Sequence, residues 1–263
     1  MSFNTKHMFK KGTPNLKRRS KPIQHIVLHW TGGEGSASAV FNTLTKRRLS
    51  VDFIVDGEGQ IFQCNPDIDN LYTLHAGIIN STSIGIEIVN YGFAPKAPKK
   101  GEDRVVDKQS IHGRIKDVAR FRPAQVDAVY ALCTHLCNAY NIPFEVLGGT
   151  TTAPVADFRG IIGHFHINRL KNDPGPLLLT QLKDRHRAVT QLNRQLGPVA
   201  LSVERRLAVQ EEPLNLEEMF KDHVVTWAKP EVDGKSPPTE PEYKIPSASL
   251  WQRMVDLVAG WMK

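Results

Sequence analysis

The chain has 263 residues, enough for one α/β domain of good size together with an appendage. Its formal net charge of +7 at pH 7 favours an anionic partner, such as nucleic acid, a phosphate-bearing cell wall or a membrane surface. Three cysteines are too few for a disulfide framework, and no apolar run is long enough to span a bilayer. Residues 1–22 read as a basic, loosely held arm without the apolar core of a secretory signal, so we expect synthesis in the cytoplasm.

The first third of the chain alternates short apolar strands with one helix. The predicted elements are strands over 26–28, 51–55, 60–64 and 84–89 and a helix over 36–48. The sequence Asp56-Gly57-Glu58-Gly59 separates the second and third strands, and this composition is typical of a hairpin turn. In the fourth strand the alternation places three isoleucines on one face and Glu87 on the other.

The middle of the chain contains the clearest helix, predicted over 123–140. Cys133 and Cys137 share one face of it, which suits either core packing or a metal, and we favour the core because free cysteine behaves as a small hydrophobe. Residues 91–122 are charged and irregular and are interpreted as a long surface insertion. A last strand is predicted over 158–162. The pattern as a whole predicts an α/β fold with a central mixed sheet flanked by helices.

A change of character after residue 176 predicts a mostly helical C-terminal extension. Residues 181–228 are expected to be helical with a break at Gly197-Pro198. Residues 229–246 contain five prolines and are interpreted as an extended linker. Residues 247–263 form an amphipathic helical stripe, which would pack on the domain or on a second copy, or contact a delivery partner or a membrane surface.

Two distant segments together supply a set of metal-binding side chains. His29 follows the first apolar strand, whereas His164 and Asp173 lie in the segment 163–176. Two imidazoles and one carboxylate suit a catalytic zinc ion with one position left for water. His166 competes with His164 because both would share a face in an extended segment, and we favour His164 because it lies against the strand.

Three further residues are candidates for the chemistry. Glu87 lies mid-strand among core residues, where a carboxylate is either paired with a lysine or a general base whose pKa burial raises. Lys171 precedes Asp173 by two residues, so it either stabilises an oxyanion or is simply solvated. His75 lies in a loop and either contacts substrate or satisfies a backbone carbonyl.

Four ordered motifs resemble those of a known family. They are Leu28-His29-Trp30-Thr31-Gly32, Leu74-His75-Ala76-Gly77, Ser83-Ile84-Gly85-Ile86-Glu87, and Gly163-His164 followed by Lys171-Asn172-Asp173-Pro174-Gly175-Pro176. Over residues 23–180 the chain resembles the zinc-dependent N-acetylmuramoyl-L-alanine amidases of the phage-lysozyme and peptidoglycan-recognition-protein type. The resemblance implies a mixed sheet with helices, zinc held by His29, His164 and Asp173, and catalysis by Glu87 and Lys171. The implied reaction is hydrolysis of the amide between N-acetylmuramic acid and L-alanine of the stem peptide.

The biological expectations follow from that resemblance. The substrate would be peptidoglycan or a muropeptide, contacted by His75, His166 and Asn168. We expect a phage endolysin or a secreted antibacterial effector that acts on the cell wall after delivery, with a delivery or immunity partner. The alternatives are a non-catalytic peptidoglycan-binding module and a cytoplasmic muropeptide-recycling amidase. Nucleic acid is not an expected partner, because the sequence has no basic stripe with interleaved aromatic residues.

Overall fold

The computed structural model describes residues 5–8, 15–93 and 105–207, without the side chains of 192, 193 and 195–207. Two compact units divide the chain, one of residues 3–196 and one that contains 197–263. The described part of the second unit is the end of one helix. The predicted linker over 229–246 and the predicted helix over 247–263 therefore lie outside the described residues.

Ten strands and four helices make up the described residues, together with a 3-10 helix at Gly77–Thr82. The strands are β1 (Thr5–His7), β2 (Lys17–Arg18), β3 (His25–Trp30), β4 (Phe53–Val55), β5 (Ile61–Gln63), β6 (Leu71–Tyr72), β7 (Ser83–Ile88), β8 (Val106–Ile111), β9 (Arg114–Ala119) and β10 (Gly160–Gly163). The helices are α1 (Ala37–Lys46), α2 (Pro123–Ala139), α3 (His164–Ile167) and α4 (Pro176–Leu207).

Local sequence explains where the first long helices begin. Ser36 caps α1, since its side-chain oxygen accepts a hydrogen bond from the Ala39 amide at 3.3 Å. Pro123 occupies the first turn of α2, where its missing N–H has no intrahelical partner to lose. The Arg122 amide just before it donates to the Gln125 side chain at 3.0 Å.

The central sheet is mixed, with the strand order β1-β5-β4-β7-β3-β10. β4, β7, β3 and β10 run parallel to their neighbours in that group, whereas β5 pairs antiparallel with β4. The carboxyl ends of β7, β3 and β10 consequently meet at one edge of the sheet, the edge at which such sheets bind ligands. The register places His29 beside Glu87, and Gly163 beside Leu28.

Helices cover both faces of this sheet, as the sequence predicted. The isoleucines of β7 (Ile84, Ile86 and Ile88) are fully buried in one cluster with α2, and Cys133 and Cys137 lie in the same cluster. The prediction that these cysteines are core residues is confirmed. The opposite face packs against α1 through Ile54 and Leu44. None of the helices in the described residues is long and apolar enough to cross a bilayer.

The prediction of an irregular surface insertion over 91–122 is wrong for its described part. β8 and β9 form an antiparallel hairpin whose turn, His112-Gly113, has φ values of 52° and 75°. Ile111 and Val118 are buried in the main core cluster. The apolar–polar alternation of these strands is weak in the sequence because one face of the hairpin carries mostly charged or polar residues. The two-residue turn is marked only by Gly113.

Two other expectations also need correction. The arm over 1–22 is not loose where it is described, because β1 pairs with β5, β2 pairs with β6, and Arg19 is buried. The basic composition of the arm predicts exposure, but backbone carbonyls accept hydrogen bonds from the Arg19 guanidinium and allow it to be buried. Helix α4 continues past Gly197-Pro198 instead of breaking there. The predicted break reflects the cost of proline inside a helix, where it lacks an N–H and its ring crowds the carbonyl four residues before it, although its fixed φ is compatible with the helix.

Candidate metal centre and active site

Three side-chain atoms converge at the carboxyl edge of the sheet. The distance between His29 Nδ1 and His164 Nδ1 is 3.0 Å, and Asp173 Oδ2 lies 3.0 Å from the first and 2.9 Å from the second. This is the one cluster of potential metal ligands found within the described residues. The three residues are the set that sequence spacing and the family resemblance suggested.

Each ligand candidate is positioned by a different element. His29 is the fifth residue of β3, and His164 is the first residue of α3, directly after the neighbouring strand β10. Asp173 lies on the loop between α3 and α4, and its backbone carbonyl accepts a hydrogen bond from the Phe165 amide at 3.1 Å. That bond holds the loop against α3.

The expectation of an extended segment at 164–166 is wrong, and the correction separates the two histidines. In the helical turn α3, residues two apart point about 200° away from each other around the axis. His164 faces the cluster, whereas His166 is completely buried and its Nδ1 accepts from the Gly163 amide at 3.2 Å. Burial lowers the pKa of His166 to about 4. A side chain with no exposed surface argues against the substrate contact predicted for His166.

The donor set fits zinc. A tetrahedral ion with bonds of about 2.0–2.1 Å separates its ligand atoms by roughly 3.3 Å, close to the three observed distances. Two imidazole nitrogens and one carboxylate oxygen are ligands that zinc accepts, and three protein ligands leave one exchangeable position. The cluster is also dominated by acceptor atoms, which a cation at its centre would satisfy.

The charges of the cluster reflect burial and the short distances between its members. Burial lowers the pKa of His29, opposed by the neighbouring carboxylate of Asp173. For Asp173, burial alone would raise the pKa, but the imidazoles of His164 and His29 beside it hold the pKa below its usual range. Asp173 is therefore an anion at neutral pH, as a metal ligand has to be.

Glu87 lies beside the cluster, and its carboxylate accepts no hydrogen bond from the described residues. It neighbours His29 in the parallel register, and only 8% of the residue is exposed. Burial raises its pKa well above the ordinary value, and the negative charge of Asp173 adds to the increase. No described residue donates a hydrogen bond to this carboxylate, so its lone pairs remain available for a proton. The alternative interpretation of Glu87, a salt bridge to a lysine, is not met among the described residues.

The loop that carries Lys171 and Asp173 is held from both sides. Lys171 is close enough to influence the charge of both His29 and Glu87. Its amide donates to the Asn168 carbonyl at 2.9 Å, and its own carbonyl accepts from His112 Nε2 at 2.8 Å. Asn168 is exposed and its side chain accepts from the Leu170 amide at 2.8 Å, so it closes the same turn.

His75 lies behind His29 and not at the open side of the cluster. Its Nδ1 is 3.0 Å from His29 Nε2, and its Nε2 is 3.1 Å from Ser83 Oγ. Since both ring nitrogens are engaged inside the protein, this geometry argues against the predicted substrate contact of His75. Burial lowers the pKa of His75 well below the ordinary value, so the ring is neutral at physiological pH.

Sequence reasoning missed three residues that support the site. Ser83 belongs to one of the four motifs, but nothing in the strand pattern distinguishes its hydroxyl. His112 and Gln109 belong to the hairpin interpreted as an irregular insertion. The Gln109 side-chain oxygen accepts from the Leu177 amide at 3.1 Å, at the start of α4. A closer reading of the His112-Gly113 turn could have suggested the hairpin, but not the loop it contacts.

A candidate metal centre with an adjacent buried carboxylate suits a metal-dependent hydrolase. The sequence comparison specifies the family. Residues 19–176, more than half of the chain, match the family of N-acetylmuramoyl-L-alanine amidases. The chain belongs to this family. None of the curated proteins matches the chain.

Several solved structures resemble the chain in part. The N-acetylmuramyl-L-alanine amidase AmiD from E. coli is 26% identical, with a TM-score of 0.42 over 61% of this chain and 57% of that one. The amidase LysC from Clostridium intestinale is 17% identical, with a TM-score of 0.48 over 71% and 99%. The Drosophila peptidoglycan recognition protein PGRP-SA is 14% identical, with a TM-score of 0.42 over 69% and 91%. The chain thus spans little more than half the length of AmiD.

Proposed function

We propose that this chain is a zinc-dependent N-acetylmuramoyl-L-alanine amidase, with residues 23–180 as its catalytic domain. The reaction is hydrolysis of the amide that joins the lactyl group of N-acetylmuramic acid to L-alanine of the stem peptide. One observation carries the proposal: three ligand atoms from distant segments lie about 3 Å apart, and Glu87 is adjacent to them in register. The family match supplies the class of substrate.

His29 Nδ1, His164 Nδ1 and Asp173 Oδ2 would hold the zinc ion. When bound, zinc supplies a Lewis acid that lowers the pKa of water toward neutrality and polarises a carbonyl group. Because all three donors are buried or nearly so, the charge of the ion would be poorly screened by solvent. Three protein ligands would leave a fourth position for exchangeable water or substrate.

Glu87 transfers the proton. Its carboxylate accepts a proton from the attacking water while the water oxygen bonds to the carbonyl carbon. The same proton then passes to the alanine nitrogen as the C–N bond breaks, which leaves a lactyl carboxylic acid and a free amine. The raised pKa of Glu87 suits both steps, since a carboxylate of low pKa accepts the proton from water poorly and does not hold it for transfer to the amine.

Lys171 would stabilise the charge that develops during the reaction. Its ammonium group belongs to the same loop as Asp173, and the electrostatic influence of this group reaches Glu87. A fixed cation beside the scissile carbonyl favours the negative charge that develops on the carbonyl oxygen. Asn168, exposed on the same loop, keeps its predicted role as a substrate contact.

We further infer that the enzyme acts on the intact wall, as an endolysin or an antibacterial effector. The net charge of +7 supports this, because it favours binding to an anionic envelope over binding to small fragments. AmiD is known in complex with its substrate, the muropeptide anhydro-N-acetylmuramic acid-L-Ala-D-γ-Glu-L-Lys. Delivery or immunity partners and a membrane contact through residues 247–263 remain part of this proposal.

The test is mass spectrometry of purified peptidoglycan digested by the wild type and by Glu87→Gln. The wild type should release stem peptides with free L-alanine amino termini. Glu87→Gln should retain zinc and lose about 10²–10⁴-fold in rate, since the amide cannot accept the proton. If neither protein cleaves but both bind peptidoglycan, the chain is a binding module instead. Full activity in Glu87→Gln would exclude the assigned base.

A further inference from the structure

A chain of hydrogen bonds leads away from the candidate metal centre into the protein. His29 Nε2 lies 3.0 Å from His75 Nδ1, and His75 Nε2 lies 3.1 Å from Ser83 Oγ. The Ser83 hydroxyl donates to the Ile79 carbonyl at 2.8 Å. This series of hydrogen bonds therefore ends on a backbone oxygen, which can only accept a hydrogen bond.

Counting hydrogens along this chain fixes the direction of every bond. The one hydroxyl hydrogen of Ser83 goes to Ile79, so Ser83 Oγ accepts from His75 Nε2. A neutral imidazole has one N–H, which places the proton of His75 on Nε2 and leaves Nδ1 as an acceptor. His29 must then donate from its Nε2. Its Nδ1, the atom that faces His164 and Asp173, retains a free lone pair.

We propose that His75 and Ser83 are positioning residues that hold His29 in the Nε2-protonated tautomer, so that its Nδ1 is ready to bind a divalent cation. The inference rests on the zinc site in the proposed function. The tautomer is under competition, because Asp173 Oδ2 lies 3.0 Å from His29 Nδ1 and would accept a proton carried there. Without Ser83 and His75, the metal-free site would favour the tautomer that blocks the metal.

The surroundings of His75 and Ser83 hold both residues in place. The Asn80 side chain accepts from the backbone amides of His75 and Ala76, at 3.0 and 2.6 Å. Arg19 donates to the Ser83 carbonyl at 3.1 Å. Ser83 is fully buried, so no water competes for its hydroxyl. These contacts keep the two donor–acceptor pairs within hydrogen-bonding distance without help from substrate.

The matched variants are Ser83→Ala and Ser81→Ala, which delete the same hydroxyl two residues apart. Ser81 contributes its backbone carbonyl, not its side chain, to the contacts around Arg19. Imidazole ¹⁵N NMR on the metal-free proteins reports which nitrogen carries each proton. Wild type and Ser81→Ala should show His29 protonated at Nε2. In Ser83→Ala the Nδ1-protonated form should increase, and the zinc dissociation constant should rise about 10- to 100-fold.

Two results would overturn the inference. One is a metal-free wild type in which His29 carries its proton on Nδ1, a measurement that needs no variant to fold. The other is a Ser83→Ala protein whose tautomer and zinc affinity match those of Ser81→Ala. A merely structural role for Ser83 would lower the free energy of unfolding without moving either quantity. Failure of the proposed function is recognised separately, as a wild type that binds no zinc or cleaves no muropeptide.

Discussion

Gly85 tests how closely the candidate metal centre depends on the residues behind it. A Cβ atom added at this position would lie 2.6 Å from His75 Cγ and 2.7 Å from its Nδ1. Ordinary contact begins near 3.4 Å, so in Gly85→Ala the His75 ring must move by about 0.8 Å. A movement of that size breaks the 3.0 Å bond between His75 and His29 unless the strand itself shifts. The substitution therefore acts on His29 through one intervening side chain.

The expected magnitude is a loss of about 1–3 kcal/mol in the free energy of unfolding, as for other overpacked sites. Zinc affinity should fall about 10- to 100-fold, because His29 loses the partner that orients it. Urea denaturation of the metal-free protein measures the first quantity, and zinc titration against a competing chelator measures the second. Gly148→Ala is the matched control, since an added Cβ there meets nothing within 4 Å.

A double-mutant cycle isolates the cause. If the methyl group acts by displacing the His75 ring, Gly85→Ala should cost much less in a His75→Ala background than in the wild type. Equal costs in the two backgrounds would refute the reasoning and place the strain in β7. Wild-type stability and zinc affinity in Gly85→Ala would refute it more simply.

Three further predictions address pH, loop position and metal. The pKa of His166 is about 4 in the folded protein and 6.5 in the unfolded chain, so the unfolded state binds protons first and stability falls as pH drops from 6.5 toward 4. His166→Asn should flatten that fall by about 3 kcal/mol in denaturation curves, since each pKa unit corresponds to about 1.36 kcal/mol. His112→Ala removes the bond to the Lys171 carbonyl and should lower kcat about 10-fold with little change in KM, whereas exposed His135→Ala should change neither. A chelator should abolish cleavage, and zinc at 100 times its dissociation constant should restore it and add about 2.7 kcal/mol to stability in calorimetry. Activity that survives chelation, an unchanged pH profile or an unaffected His112→Ala would contradict the respective argument.

The sequence predicts the parallel core of the fold and the convergence of His29, His164 and Asp173. Short apolar runs that end in His29 or precede His164 are recognisable because buried parallel strands need continuous apolar sequence. Once those strands are adjacent, their carboxyl ends must meet, which brings His29 and Glu87 together. Glycine and proline around Asp173 mark its loop as a turn. Periodicity likewise predicts α1 and α2 to within a few residues.

The rest depends on tertiary contacts that no local pattern encodes. Whether 164–167 is extended or helical decides which histidine faces the cluster, and four residues are too few to show a period. The role of His75 depends on Ser83 and Ile79, whose side chain and carbonyl meet it only in the folded protein. The hairpin over 106–119 resembles a surface loop in composition because one side of it is solvated, although its other side contributes Ile111 to the core.

Arg19 gives the basic N-terminal segment a practical significance for anyone who excises this domain. Its guanidinium bridges the carbonyls of Ile68, Ser81 and Ser83, three points that are distant from it along the chain. A fragment trimmed to residue 23, where the apolar sequence starts, would leave those oxygens buried without their donor. The minimal soluble unit should accordingly be cut upstream of residue 19, even though a hydropathy profile would discard that stretch as a tail.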